Sequence, residues 1–175
     1  ELERAGVGAI TTSCGFLVLY QRQIQEALRI PFLSSSLLQV PWVASTLPPG
    51  RRVGVLTIEH ASLTADHLAA AGIPAELGVA VLGMDEVPGR YFVDVVLGDR
   101  LELDVARARA EHVAAAKTLR ERHPDLGAIV LECTNMPPYR EAVRQATGLP
   151  VFDLTTLIGW AVASIQPPRW ADRQT

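Results

Sequence analysis

Short apolar runs alternate with longer stretches of mixed polarity along this chain, and the alternation predicts strands and helices in turn. Apolar runs of strand length lie at residues 7–11, 53–57, 79–82 and 128–131, with shorter Pro-led triplets at 31–33 and 150–152. Helical spacing of apolar positions covers residues 17–28, 62–71, 101–122 and 138–147, and further helices end near Ser45 and Ser164. Strands that alternate with helices predict parallel sheets covered by helices on both faces.

Two parts of the chain repeat each other at an offset of 119 residues. Aligned without gaps, residues 8–49 and 127–168 share 13 identities in 42 positions. Both cysteines of the chain, Cys14 and Cys133, fall in register, and so do Tyr20 with Tyr139 and both Pro-Pro pairs. A fixed offset of this kind predicts an internal duplication, in which each copy reads strand, cysteine, helix, strand, helix.

The predicted fold is therefore α/β, with two parallel-sheet lobes related by a pseudo-twofold axis. Residues 1–49 are expected to form the N-terminal lobe, 50–153 the C-terminal lobe, 154–166 a final helix packed back on the N-terminal lobe, and 167–175 a tail. The second unit begins at Val53, 80 residues before Cys133, so the same count places the start of the first unit about 65 residues before Glu1. We therefore expect the first lobe to lack its N-terminal part in this sequence.

Composition narrows the class of protein. The 175 residues are 49% hydrophobic and 20% charged with a formal net charge of −3, which suits a globular core and offers no basic surface for nucleic acid or membranes. No apolar run is long enough to span a bilayer, and two cysteines are too few for a secreted disulfide framework. We expect a cytoplasmic protein with a small-molecule ligand, and the sequence leaves a homodimer open.

The two cysteines are the candidate chemical groups. Each follows a predicted strand and precedes a predicted helix, and ligands of parallel α/β sheets bind at the carboxyl ends of the strands. A helix N-terminus favours an anion, so we expect these thiols to ionise more easily than free cysteine. Two pseudo-twofold lobes would direct the two sulfurs at one cleft from opposite sides, a geometry for removing a proton from one face of a carbon and returning one to the other.

The motifs SCGF at residues 13–16, VGVLT at 53–57 and ECTN at 132–135, together with the doubled unit, resemble the aspartate/glutamate racemase superfamily. That superfamily includes hydantoin racemases, maleate isomerases and arylmalonate decarboxylases. The resemblance implies a racemase or isomerase of a small carboxylate, such as an amino acid or a hydantoin-like compound, in which Cys14 and Cys133 act as acid and base without a cofactor. It also implies that small polar groups beside the cysteines bind the substrate carboxylate; carried over to this chain, they are Thr12, Gly15, Thr57, Ser62, Thr134 and Asn135.

Several alternatives stay open. Maleate-isomerase or decarboxylase chemistry fits the same motifs, and so does a non-catalytic binder of small carboxylates. A redox disulfide is less favoured, because the chain has no CxxC motif and the cysteines fall in different lobes.

No metal site is expected, since His60, His67, His112 and His123 show no ligand spacing with either cysteine. His60 follows the VGVLT strand and could line the cleft, whereas His67 and His112 are expected on solvated helix faces. Glu132 either tunes the neighbouring thiol or turns away from it.

Overall fold

The larger sheet is built from the most apolar segments of the chain. The computed structural model describes residues 1–167, and its larger sheet has four parallel strands in the order β4-β3-β5-β6. The strands are β3 (Arg52–Thr57), β4 (Ala80–Gly83), β5 (Leu126–Leu131) and β6 (Val151–Phe152). Residues alternate between two buried faces: Leu56 and Ile129 contact one hydrophobic core, while Val55 and Val130 contact the other. Both faces are buried because helices cover each of them, as expected for a parallel sheet.

Seven α-helices and several short 3-10 turns connect and cover the strands within residues 1–167. The α-helices are α1 (Gln21–Glu26), α2 (Val40–Thr46), α3 (Ala65–Ala70), α4 (Tyr91–Leu97), α5 (Val105–Arg122), α6 (Arg140–Thr147) and α7 (Leu154–Ile165). Helix α5 begins where Asp104 accepts hydrogen bonds from the N–H groups of Ala106 and Arg107, the usual way of satisfying unpaired donors at an N-terminus. Helices α4, α5 and α6 pack on one face of the sheet, and α2 and α3 on the other.

A second, smaller sheet holds the first copy of the repeat. It consists of β1 (Ile10–Thr11) and β2 (Phe32–Leu33), which pair in parallel. Its register is Ile10 opposite Phe32, and the register of the larger sheet places Ile129 opposite Val151. Ile129 lies 119 residues after Ile10, and Val151 lies 119 residues after Phe32. The same offset separates the two cysteines. The repeat read from the sequence is thus a repeat of strand register as well.

The local order of the two copies also agrees beyond the strands. A 3-10 turn that ends at Tyr20 leads into α1, and a 3-10 turn that ends at Tyr139 leads into α6. The N–H of Ile10 donates to the carbonyl of Pro31, and the N–H of Ile129 donates to that of Pro150, both at 2.9 Å. The α/β fold with parallel sheets is therefore confirmed.

Helix α7 contacts residues of both copies. The Gln39 side-chain amide donates to the carbonyl of Asp153 at 2.9 Å, and the hydroxyl of Thr156 donates to the Gln39 side-chain oxygen at 2.7 Å. At its other end, Ile165 packs directly against Gly8, so closely that an added Cβ would press on the isoleucine side chain. The lobe boundaries stay a prediction, and the predicted tail lies outside the described residues apart from Pro167.

Some predicted elements differ from the observed ones. The predicted helix 101–122 begins only at Val105, and α4 lies in a region where the sequence analysis placed no element. The predicted strand 7–11 is reduced to Ile10–Thr11, and the predicted helix 17–28 divides into a 3-10 turn at Gly15–Tyr20 followed by α1. The first copy pairs with one strand where the second pairs with two, so fewer backbone groups hold it in extended form. No helix within residues 1–167 combines the length and apolar character needed to cross a membrane.

Candidate active site

The two cysteines line one cavity at the carboxyl ends of β1, β3 and β5. The cavity measures about 150 Å³. Its walls come from both copies of the repeat and from α4: Ser13, Cys14, Gly15, Phe16, Ile58, Val96, Leu97, Glu132, Cys133, Thr134 and Asn135. The juxtaposition of the two turns follows from the parallel sheets, which bring strand ends to one edge.

Cys14 lies in an exposed turn three residues after β1. The Thr12 hydroxyl donates to the carbonyl of Ser34 at 2.7 Å, and the same oxygen lies 2.9 Å from the carbonyl oxygen of Cys14. Thr12 thus fixes the turn that carries Cys14 and does not itself line the cavity. The backbone at Cys14 is extended, directly before the 3-10 turn that begins at Gly15.

Cys133 is partly buried two residues after β5, and burial raises the pKa of its thiol to about 11. The negative charge of Glu132 and the Cys14 thiol raise the pKa further, against hydrogen bonds from Asn135 that lower it. The expectation of an easily ionised thiol is wrong for Cys133. No α-helix begins beside it, because α6 starts only at Arg140, so burial outweighs any helix dipole.

The two cysteine turns are joined directly. The hydroxyl of Thr134 donates to the carbonyl of Ser13 at 2.6 Å. This contact commits the hydroxyl hydrogen of Thr134 to the protein. A substrate carboxylate would therefore have to redirect it. Asn135, which hydrogen-bonds the Cys133 thiol, and Gly15 also line the cavity.

A buried carboxyl, that of Glu132, lies in the wall of the same cavity as both cysteines. Glu132 is 2% exposed, and its Oε2 accepts a hydrogen bond from the hydroxyl of Thr57 at 2.9 Å. Burial raises the pKa of Glu132 to about 7, against the lowering effect of the Thr57 hydrogen bond. Its other oxygen, Oε1, lies against Gly15, where an added Cβ would collide with it. Gly15 is thus required by the close approach of the Glu132 carboxyl.

Two further predicted binding residues lie away from the cavity walls. Thr57 is fully buried and acts on the site only through Glu132. Ser62 donates to the carboxylate of Glu59. Of the predicted substrate-binding residues, the cavity thus brings together Gly15, Thr134 and Asn135.

Helix α4, which the sequence analysis missed, supplies Val96 and Leu97 to the cavity. Beyond these side chains lies an adjoining cavity of about 420 Å³, which shares Val96, Thr134 and Asn135 with the first. Asp99 and Arg100 also line this adjoining space. The signal in the sequence was weak, because α4 has only seven residues and follows a Pro-Gly turn at Pro88 and Gly89.

The histidines have structural contacts. His60 pairs with Glu86 at 2.6 Å and does not line the cavity. His112 and His67 are buried, contrary to the expected solvated faces. His112 stacks on Tyr139 with ring centroids 4.1 Å apart, and burial lowers its pKa to about 4. No group of three or more His, Cys, Asp or Glu side chains in residues 1–167 is arranged to hold a metal ion.

The fold and the site define a class, namely α/β proteins whose ligand cavity lies at the carboxyl ends of parallel strands. Within that class the chain belongs to the Asp/Glu/hydantoin racemase family, whose model matches residues 1–162. This confirms the resemblance carried by the sequence motifs. The family is one of enzymes.

Two curated relatives of this chain are lyases by name. Residues of this chain are 32% identical over 177 positions to dimethylsulfoniopropionate lyase 6 of Emiliania huxleyi (strain CCMP1516), covering 94% of this chain and 44% of that protein. They are 33% identical over 152 positions to dimethylsulfoniopropionate lyase of Durusdinium sp. clade D, covering 85% and 49%. The chain thus spans about half the length of these relatives.

Solved structures show the same fold at lower identity. Glutamate racemase from Thermus thermophilus superimposes with a TM-score of 0.57 at 21% identity, over 96% of this chain and 61% of that one. Unliganded arylmalonate decarboxylase superimposes with a TM-score of 0.58 at 18% identity, over 98% and 74%.

Proposed function

We propose that this chain provides an acid–base site that removes the proton next to the carboxylate of a small substrate, with Cys14 and Cys133 as the acid and base. One observation carries the proposal: both cysteines, each at the end of a strand in one copy of the repeat, line a single cavity. Membership of the racemase family supports the same chemistry. The two thiols serve without a cofactor in this proposal.

The two thiols have different roles in the resting site. With a pKa of about 11, Cys133 is a protonated thiol at neutral pH and is ready to donate a proton. Cys14 is the exposed member and takes the substrate proton as a thiolate. The electron pair of the broken C–H bond is held by the substrate carboxylate as an enediolate. Asn135 and the backbone at Gly15 are placed to bind that carboxylate.

Return of a proton from Cys133 to the opposite face of the carbon completes a racemisation. The proton taken by Cys14 and the proton given by Cys133 balance, and the pair is reset by exchange with water. Two thiols contributed by two copies of a repeat favour racemisation, since each thiol would act on one face of the carbon.

A second reaction that can follow proton removal from the substrate is β-elimination, and the similarity to the lyases favours it. In the substrate that their name describes, loss of the proton next to the carboxylate can be followed by cleavage of the bond between the β-carbon and the sulfonium sulfur. The electron pair then leaves with sulfur as dimethyl sulfide, and an unsaturated carboxylate remains. Cys14 is exposed, whereas Cys133 is partly buried and has a pKa raised to about 11. This difference suits a reaction that runs in one direction and needs a base more than a second proton donor.

The test is proton exchange in D₂O, followed by NMR, on the full-length protein that carries this chain. Amino acids, hydantoins, dicarboxylates and dimethylsulfoniopropionate are the substrates to screen. We expect deuterium at the carbon next to the carboxylate for a racemase and release of dimethyl sulfide for a lyase. Cys14→Ala and Cys133→Ala should each lower the rate, while Ser45→Ala, an exposed substitution on α2, should not. Binding without exchange or product for every substrate would favour the non-catalytic binder.

A further inference from the structure

Glu132 is a buried carboxyl without a cationic partner in the described chain. Its residue is 2% exposed, and the hydroxyl of Thr57 occupies Oε2. No donor within residues 1–167 hydrogen-bonds Oε1, which lies against Gly15, another wall residue of the cavity. No lysine, arginine or histidine is among the residues that line this cavity.

Such an arrangement is costly unless something compensates it. Buried carboxylates are almost always paired with a cation or with several hydrogen-bond donors, because removal from water disfavours the charge. Glu132 has one donor, and burial accordingly raises its pKa to about 7. A carboxyl held near its ionisation point, with one free oxygen at the cavity, is set to ionise when a positive charge is placed beside it.

We propose that Glu132 selects the substrate by binding a positively charged group, an ammonium or a sulfonium, that the substrate carries on its α- or β-carbon. This inference rests on the proposed function, because it assumes that the cavity between the cysteines holds the substrate. The substrate carboxylate lies toward Asn135 and Gly15, and the cationic group lies against Oε1 of Glu132. Dicarboxylates and neutral acids of the same shape lack the group that Glu132 binds.

The same residue in its neutral form could instead donate a hydrogen bond to the substrate carboxylate. The two arrangements predict different ligand binding by a Glu132→Gln variant. Glutamine keeps a donor and loses the charge, so it would preserve binding of any carboxylate in the second arrangement. In the proposed arrangement it removes the preference for a cation.

The experiment compares two unreactive ligands that differ only in charge. In 3-(trimethylammonio)propionate a quaternary nitrogen replaces the quaternary carbon of 4,4-dimethylpentanoate, so shape and carboxylate are the same. Calorimetric titration of the full-length protein should show the cationic ligand binding about tenfold tighter or more, the usual scale for one charge-assisted contact. Equal affinity for the two ligands, or tighter binding of the neutral one, would overturn the proposal without any variant being needed.

Variants then assign the preference to its residue. Glu132→Gln should bind the two ligands equally, while Glu59→Gln, which removes a carboxylate at the neighbouring strand end outside this cavity, should keep the wild-type preference. Thermal melting and circular dichroism of each variant show that it is folded. A folded Glu132→Gln protein that still prefers the cationic ligand would exclude Glu132 as its binding residue.

The cysteines separate this inference from the proposed function. A Cys14→Ser/Cys133→Ser double variant should lose proton exchange and keep the ligand preference, because the preference requires only Glu132. Retained exchange in that double variant would refute the acid–base pair and leave the role of Glu132 standing. Loss of exchange without any ligand preference in the wild type would refute the role of Glu132 alone.

Discussion

The two copies of the repeat have the same local structure and different surroundings. Strand register, the hydrogen bond that precedes each strand pair and the 3-10 turn that ends at a tyrosine all recur at the same offset. Yet Cys14 is exposed and Cys133 is partly buried, and Tyr20 is 52% exposed where Tyr139 is 2% exposed. The second copy joins a four-stranded sheet covered by α4, α5 and α6, and the first forms a two-stranded sheet.

This difference teaches that a repeated sequence can keep the same backbone structure while its matched side chains have different surroundings. Backbone order depends on near neighbours, which the duplication copied. The ionisation of a thiol depends on desolvation and on nearby charges. At Cys133 these are set by its partial burial and by Glu132, which stands where the first copy has Ser13. The two thiols of the candidate site are therefore equivalent in position and unequal in their exposure to solvent.

Replacing the cysteines one at a time gives the largest expected effect. If both act as acid and base on one carbon, Cys14→Ala and Cys133→Ala should each reduce racemisation by about 10²–10⁴-fold, the usual contribution of general acid–base catalysis. The double variant should lose little more, because the two groups act as one unit. Steady-state rates in both directions measure this, and near-native turnover by either single variant would contradict the pair.

Replacing the matched tyrosines measures how much the surroundings contribute to stability. Tyr139 packs on Phe92 and His112, with ring centroids 5.8 Å and 4.1 Å away, so Tyr139→Ala should lower the free energy of unfolding by about 3–5 kcal/mol. Tyr20→Ala, at the same repeat position, should change it by about 0.5 kcal/mol or less. Urea unfolding of both variants compares them; equal losses would mean that the two copies are packed alike.

Glu132 has no acidic counterpart in the first copy, where Ser13 stands, and this predicts a pH dependence of stability. The pKa of Glu132 is raised from 4.5 to about 7, so between these values the folded state holds a proton that the unfolded state has lost. Its contribution is fully present below about pH 4.5 and is lost as the pH rises through about 7. The loss is on the order of 3 kcal/mol.

Glu132→Gln isolates this contribution. The buried His112, whose pKa is lowered to about 4, makes the folded state less stable as the pH falls, and it acts equally in both proteins. The difference in unfolding free energy between wild type and variant should therefore fall between pH 4.5 and 7. A difference that stays constant with pH would show that Glu132 ionises as a solvated carboxyl does.

Alkylation compares the reactivity of the exposed Cys14 thiol and the partly buried Cys133 thiol directly. At pH 8 a thiol with a pKa of about 11 is ionised to roughly one part in a thousand, so Cys133 should react with iodoacetamide about 10²-fold more slowly than an ordinary thiol. The exposed Cys14 should be labelled first. Peptide mass spectrometry of a time course measures both sites, and faster labelling of Cys133 would contradict its burial.

Much of the fold could be predicted because it depends on local pattern. The apolar runs at β3 and β5 are long enough to identify a parallel sheet buried on both faces, and the 119-residue offset predicts which strands correspond. Helix α4 escaped prediction because seven residues after a turn carry little periodic signal. The shortening of β1 also escaped, since it depends on how many strands lie beside it.

The sequence by itself determined the repeat, the parallel α/β architecture, the family motifs and the pairing of Cys14 with Cys133 by position. Only the tertiary structure decided what those positions mean chemically. It brought Glu132 against Gly15 and Thr57, buried His112 and partly buried Cys133. The physical reason is range: strand and helix formation follow from residues a few positions apart, whereas desolvation and charge pairing follow from side chains brought together from distant parts of the chain.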